Sequence, residues 1–138
     1  MPFVYLTRKT SFSASHRMHN PELSDQENRE IYGKCNNPNG HGHNYTLEVT
    51  VKGEINPRTG MVMSLSELKR VIEEAVIQPM DHRNLNLDVP AMRGINPTTE
   101  NLAVVFWGLL EKRLPPGLLV EVRLRETENN LVTYRGES

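Results

Sequence analysis

The sequence predicts an α+β fold in which a four-stranded antiparallel sheet carries two helices on one face. Two segments near the N-terminus and two near the C-terminus alternate between apolar and polar residues, as half-buried strands do. Two segments between them have helical periodicity. The resulting order, ββααββ, allows hairpins to pair the strands while the helices cover a shared face. With 138 residues the chain can form its own core, so residues 1–138 are interpreted as a single domain.

The first two strands are predicted from their alternation. Residues 3–16 form the first strand, and its apolar face consists of Val4, Leu6, Phe12, Ala14 and His16. Residues 43–52 form the second, and its apolar face consists of Tyr45, Leu47, Val49 and Val51. The intervening residues 17–40 are polar and contain Pro21, Pro38 and an Asn-Gly turn signal. They are predicted to be a long irregular connection, a kind of segment that is often functional.

Both helices have recognisable start signals. Ser64 and Glu67 form a capping box before an apolar pattern of helical period, and Pro79 is expected to end this first helix. Thr98 is a plausible N-cap for a second helix over roughly residues 99–113. Because this second helix is apolar almost all round, we expect it to be covered on more than one side.

A final hairpin completes the predicted sheet. Residues 118–126 and 131–135 alternate around Asn129-Asn130, which is a turn signal. A four-stranded sheet of this kind has two open edges, and such edges are usually blocked or paired with another chain. The sequence therefore favours an oligomer.

Composition excludes several classes of function. The formal net charge is −1, so no overall field favours nucleic acid or an anionic membrane. The N-terminus lacks the pattern of a signal peptide, and the longest apolar run, residues 102–110, is too short to span a bilayer. The single cysteine, Cys35, excludes an intrachain disulfide and fits a reducing compartment. We therefore expect a cytoplasmic protein without nucleic-acid or membrane partners.

Three histidines share the apolar phase of the first two strands. His41 and His43 are separated by one residue, so their side chains point to the same side of an extended segment. His16 ends the first strand on its apolar face and could close a cage of three imidazoles around a metal ion. Three protein ligands and one open position are typical of a catalytic zinc site. His19 could compete with His16, but it lies three residues beyond the strand pattern and is expected to be solvated.

Other ionisable residues could supply the chemistry. Glu126 lies in phase with the apolar residues of its strand, where an unpartnered carboxylate is costly, so we expect it to meet a ligand. Cys35 lies in a polar loop and is a candidate base or nucleophile, with a pKa lowered by a neighbouring metal, or a fourth structural ligand. Asp81 and His82 could form a base with its orienting carboxylate, provided that their loop is irregular.

Several motifs resemble the 6-pyruvoyltetrahydropterin synthase family over essentially the whole chain. The matching segments are residues 12–17 (FSASHR), 35–45 (CNNPNGHGHNY), 60–63 (GMVM), 80–86 (MDHRNLN), 97–101 (PTTEN) and 126–130 (ETENN). The resemblance implies a tunnelling fold of ββααββ type. It also implies that three subunits form a β-barrel, that two trimers stack into a homohexamer, and that the active sites lie at subunit interfaces.

The resemblance also implies a reaction and a set of roles. The family converts 7,8-dihydroneopterin triphosphate to 6-pyruvoyltetrahydropterin, a phosphorus–oxygen lyase reaction that eliminates triphosphate and proceeds by internal redox within tetrahydrobiopterin biosynthesis. The resemblance implies that His16, His41 and His43 are zinc ligands and that Cys35 is the base. It also implies a proton relay through Asp81 and His82. Glu126 would anchor the pterin, helped by Thr98 and Thr99.

Two alternatives remain open from the sequence. A 6-carboxytetrahydropterin synthase takes the same substrate, but in those sequences the cysteine typically lies four residues before the His-Gly-His block, whereas Cys35 lies six before it. A binding module stabilised by zinc, with Cys35 as the fourth ligand and no catalysis, is the second alternative.

Overall fold

A single sheet forms one layer of the computed structural model, which describes residues 2–138. Its strand order is β3-β1-β2-β4-β5. The strands are β1 (Phe3–His16), β2 (His41–Glu54), β3 (Arg83–Asn84), β4 (Leu119–Thr127) and β5 (Asn130–Tyr134). The predicted α+β class is confirmed, as are the four main strands. The sheet differs from the predicted one by an additional short strand, β3, whose two residues pair in parallel with the end of β1.

Helices accompany this sheet, and all except the first contribute apolar residues to the core on one of its faces. They are α1 (Asp25–Tyr32), α2 (Leu65–Ile72), α3 (Gln78–Met80) and α4 (Thr99–Glu111), with a π-helical segment (Glu73–Ile77) joining α2 to α3. Short 3₁₀ turns cover Gly33–Asn36 and Pro90–Met92. The strand register places Phe12 opposite Tyr45 and Leu47 opposite Leu124, so their side chains form one continuous apolar face. The core lies between this face and the α2, π and α4 segments.

Helix α1 contradicts the prediction of an irregular connection over residues 17–40. Ser24 caps it in a complete capping box with Glu27, and its buried residue is Asn28 rather than an apolar side chain. Asn28 accepts a hydrogen bond from the backbone N–H of Asn20 and donates one to the carbonyl of Asn20. The helix therefore packs through polar contacts, which apolar periodicity does not detect.

The helix that begins after Ser64 extends one residue beyond Pro79. The Ser64 hydroxyl accepts from the Glu67 N–H, whereas the Glu67 carboxylate pairs with Arg70 instead of completing the capping box. A π-helical segment ends at Ile77, two residues before Pro79, where a regular α-helix would press the proline ring against the carbonyl of Ala75. The chain then leaves the helix at Asp81.

The second predicted helix begins as expected, because the Thr98 hydroxyl accepts from the Asn101 N–H. It ends at Glu111, two residues earlier than predicted. One side of α4 packs on β4 and β5 and another on the π segment, while Val104 remains 48 % exposed.

The outer edge of β1 is largely open. β3 pairs only with Ala14 and Ser15, so the rest of this edge has no strand partner among residues 2–138. Phe3 and Tyr5 on the same strand are 61 % and 65 % exposed. Within residues 2–138, no helix combines the length and the apolar character needed to cross a membrane.

Candidate functional site

The two long strands bring three imidazoles together where the sheet leaves the core. β1 and β2 are antiparallel, and their register pairs His16 with His41 directly. His43 lies two residues farther along β2 on the same face, opposite Ala14. The ring centroids of His16 are 4.8 Å from His41 and 5.1 Å from His43, and those of His41 and His43 are 4.6 Å apart. The predicted convergence of the three side chains is therefore present in the fold.

One nitrogen of each ring is buried without a hydrogen bond. These atoms are Nε2 of His16, Nδ1 of His41 and Nε2 of His43. The other nitrogen of His16, Nδ1, lies 2.7 Å from the carbonyl oxygen of Pro97, an acceptor that assigns the proton to Nδ1. This contact leaves Nε2 with its lone pair free, in the arrangement that orients histidine ligands in metal sites. Unpaired buried nitrogens that face one another are costly, and a metal ion satisfies all three together.

The protonation of the imidazoles also suits a metal. Burial lowers the pKa of His16, although the hydrogen bond to Pro97 and the charge of Glu126 oppose the shift. Burial likewise lowers the pKa of His43, again against the opposing charge of Glu126. Lowered values favour neutral rings, and the neutral imidazole is the form that binds metal ions.

Glu126 joins the three histidines from β4. One ligand atom from each of the four residues can be chosen so that all lie within 4.8 Å of one another. Glu126 Oε1 lies 3.0 Å from His43 Nε2, but the two atoms do not form a hydrogen bond. Glu126 Oε2 accepts a 2.6 Å hydrogen bond from the Thr99 hydroxyl. The carboxylate could therefore ligate a metal or receive donors from a ligand.

Cys35 lies outside this group of metal-ligand atoms. It is half-buried in the 3₁₀ turn Gly33–Asn36. Burial raises the pKa of its thiol, and the negative charge of Glu126 raises it further. The lowered pKa expected from the sequence depends on a metal beside the thiol, so the direction found for the protein alone does not test it. A positive charge from elsewhere would be needed to reverse the shift.

Asp81 and His82 form the predicted pair. His82 Nδ1 lies 3.0 Å from Asp81 Oδ2, and His82 has a positive φ of 60°, the irregular backbone that lets adjacent side chains meet. A hydrogen bond from the Ser13 N–H to Asp81 Oδ1 lowers the pKa of Asp81, and His82 lowers it further. The His82 side chain is 82 % exposed. Among residues 2–138, no hydrogen bond or ion pair joins either residue to Cys35.

The remaining candidates have specific places around the histidines. Thr99 contacts Glu126, whereas the Thr98 hydroxyl caps α4. His19 is not part of the histidine group; its Nδ1 contacts the Asn36 side-chain amide at 3.0 Å. Sequence reasoning missed Pro97, whose carbonyl orients His16. A main-chain acceptor 81 residues away leaves no signal in residue type or spacing.

Comparisons with known proteins identify one family by sequence and by structure. Residues 5–137 match the model of the family described as 6-pyruvoyl tetrahydropterin synthase. The chain is 58 % identical over 133 residues to the 6-pyruvoyl tetrahydrobiopterin synthase of Poecilia reticulata, covering 96 % of this chain and 90 % of that protein. It is 57 % identical over 132 residues to the Homo sapiens protein of the same name, covering 96 % and 91 %.

A solved structure supports the same assignment. The 6-pyruvoyl tetrahydropterin synthase of Caenorhabditis elegans superposes with a TM-score of 0.95 at 43 % identity, covering 99 % of this chain and 98 % of that one. Sequence and structure agree over nearly the full length, and the chain belongs to the 6-pyruvoyl tetrahydropterin synthase family.

Proposed function

We propose that this protein converts 7,8-dihydroneopterin triphosphate to 6-pyruvoyltetrahydropterin and inorganic triphosphate. The observation that carries the proposal is the group of three unpaired imidazole nitrogens beside a carboxylate, in a chain of this family. The reaction is an elimination: loss of a carbon-bound proton expels triphosphate by breaking the carbon–oxygen bond, so the phosphorus–oxygen lyase class that the resemblance suggested does not describe it. The remaining steps rearrange hydrogens within the substrate, so the reaction needs no external oxidant or reductant.

His16, His41 and His43 would hold a zinc ion. The donor set is three imidazole nitrogens, which suits zinc and leaves a position for substrate oxygens. Zinc bound there would act as a Lewis acid on the side-chain oxygens and make the carbon-bound protons easier to remove. His16 is the most strictly oriented of the three, because its Nδ1–H donates to Pro97 and aims Nε2 at the shared centre.

Glu126 would anchor the pterin ring. Its carboxylate can accept two parallel hydrogen bonds from the amino and ring N–H groups, as carboxylates do from a guanidinium. The hydroxyl of Thr99 already donates to Oε2 and fixes the orientation of the group. Thr98 would help only indirectly, by holding the first turn of α4 that carries Thr99.

Cys35 would remove the carbon-bound proton, and Asp81 with His82 would carry it onward. A thiol with a raised pKa needs a nearby positive charge before it can act as a base. Zinc held by the three imidazoles would be one source of that charge. Because His82 is 82 % exposed and unconnected to Cys35 within residues 2–138, we infer that it serves the site of a neighbouring subunit.

That inference requires an oligomer, and we propose a homohexamer of two stacked trimers. The unpaired edge of β1 offers main-chain donors and acceptors to a strand of another copy. Phe3 and Tyr5 would be covered by the same contact. Pairing three sheets edge to edge would close a barrel and remove the open edges.

The proposal is tested by incubating the purified, zinc-loaded protein with 7,8-dihydroneopterin triphosphate and identifying the products by mass spectrometry. We expect 6-pyruvoyltetrahydropterin and one equivalent of inorganic triphosphate. Acetaldehyde with the 6-carboxy product would assign the alternative reaction on the same substrate. Unchanged substrate, under conditions where a pterin binds, would favour a non-catalytic zinc module.

A further inference from the structure

A cleft of about 750 Å³ opens directly beyond the strand ends that carry the imidazoles. Arg17, which follows His16, and Gly40, which precedes His41, both line it. The loop of residues 94–96 forms another wall, immediately before the Pro97 that orients His16. The cleft is therefore lined by residues next in sequence to His16 and His41, but not by the three histidines themselves.

The strand register sets the order of the groups along the sheet. Leu47 pairs with Leu124, so Glu126 is level with Tyr45, two residues farther along the inner face. His43 comes next, then the His16–His41 pair, and finally the cleft at Gly40. From Tyr45 to His41, the first residue of β2, the strand advances by about 13 Å, at about 3.3 Å per residue. A ligand anchored at Glu126 that passes the imidazoles therefore reaches the cleft with its far end.

Arg17 presents an uncompensated positive charge to this cleft. Its main chain is fixed on both sides by Asn86, which accepts from the Arg17 N–H and donates to the Arg17 carbonyl. Its side-chain Nε donates to the carbonyl of Asn36 at 3.0 Å. Within residues 2–138, no carboxylate pairs with it and no hydrogen bond uses its two terminal nitrogens. The guanidinium is therefore held in place with two donor groups free.

Further positive charge lies on the other side of Arg17. A smaller cavity of about 290 Å³ is lined by Arg17, Arg29 and Lys34, with Asp25 as its single carboxylate. Three cations against one anion leave a net positive lining. In the larger cleft, His19 stands beside Arg17 and is fixed through its Nδ1 to Asn36, which leaves Nε2 available as a further donor. This combination suits a multiply charged phosphate chain.

We propose that the cleft is the subsite for the triphosphate chain of the substrate, with Arg17 as its main contact and His19 as a second donor. The proposal rests on the function proposed above, because it places the pterin at Glu126 and the side-chain carbons at the imidazoles. Asn36, which anchors both Arg17 and His19, directly follows Cys35. The residues that would bind the triphosphate are thus anchored next to Cys35, which is proposed to remove the proton.

The test measures the affinity of the zinc-loaded protein for inorganic triphosphate and for 7,8-dihydroneopterin, which lacks phosphate, by isothermal titration calorimetry. The variant Arg17→Gln removes the charge and keeps a long polar side chain. We expect it to weaken triphosphate binding by about 10- to 100-fold, the usual effect of losing charged hydrogen bonds, and to leave dihydroneopterin binding unchanged. Arg58→Gln, in the exposed turn after β2, is the matched control and should change neither affinity.

Two results would overturn the assignment. Triphosphate binding that is equally tight in Arg17→Gln and the parent would place the anion elsewhere. If Arg17→Gln weakened the binding of triphosphate and of dihydroneopterin equally, Arg17 would be a structural residue. In that case Arg17→Lys, which keeps the charge without the planar fork, would not restore triphosphate binding selectively. Neither titration requires turnover. A protein that binds triphosphate through Arg17 but forms no 6-pyruvoyltetrahydropterin would contradict the proposed reaction and not this subsite.

Discussion

Replacing Glu126 with glutamine separates the two roles open to its carboxylate, metal ligand and pterin anchor. Oε1 lies 3.0 Å from His43 Nε2, and Oε2 accepts from the Thr99 hydroxyl at 2.6 Å. In Glu126→Gln the amide oxygen can keep the bond from Thr99. The amide –NH₂ then faces the side of the site where Oε1 stood, so it opposes the N–H groups of a bound pterin instead of accepting from them.

The expected loss follows from the hydrogen bonds that disappear. The Glu126 side chain is only 17 % exposed, so solvent cannot replace the missing acceptor fully. A hydrogen bond to a charged group contributes about 1.5–3 kcal/mol, so Kd for 7,8-dihydroneopterin should rise by about 10- to 150-fold. Zinc content should remain one per chain, because the three imidazoles already provide the ligands of a catalytic site.

Two measurements on the same samples decide the role. Fluorescence titration with 7,8-dihydroneopterin gives Kd, and elemental analysis after dialysis gives zinc per chain. Glu128→Gln, two residues farther on at an exposed position, is the matched control and should resemble the parent in both. Loss of zinc in Glu126→Gln would make the carboxylate a fourth ligand. Parent-like Kd with full zinc would refute the anchor.

Three further predictions concern the metal, the base and the assembly. His16→Ala should lose stoichiometric zinc while His19→Ala retains it; elemental analysis showing the opposite pattern would move the ligand to His19. Cys35→Ala should keep zinc and dihydroneopterin affinity but reduce kcat by about 10²- to 10⁴-fold, the usual contribution of a general base; loss of zinc would instead indicate a structural ligand. Sedimentation should show a hexamer for the parent and smaller species for Tyr5→Lys, which puts a charge on the exposed β1 surface; an active parent monomer would refute the assembly.

The sequence predicted the strands well because each has a face buried in the core. Alternation over residues 3–16 reproduces β1 in full, since every second side chain near its end is buried. Helix α1 was not predicted because its buried residue is Asn28, although the Ser24 and Glu27 box was present as a signal. The two-residue strand β3 is too short for any periodicity to appear.

The candidate site was likewise predicted only in part. Strand phase was enough to bring His16, His41 and His43 together, because side chains on one face of paired strands are neighbours. The burial of the Cys35 thiol and the nearness of Glu126, which together raise its pKa in the protein alone, could not be predicted from the sequence. Those facts depend on how loops fold over the sheet, and local pattern does not encode them.

The same inner face of the sheet carries both the core and the site, so core packing determines how the imidazoles meet. Phe12 and Tyr45 stack at 4.9 Å one row before His43, and they pair directly across β1 and β2. A slip of one residue between these strands would set His16 opposite Gly42 and turn one strand's side chains to the other face. Burial of the Phe12–Tyr45 pair opposes such a slip, because it would carry an aromatic ring out of the core. The strand register that makes the three imidazoles neighbours is thus set by core packing, and the apolar rows are part of the reason that the polar end of the sheet can act as a site.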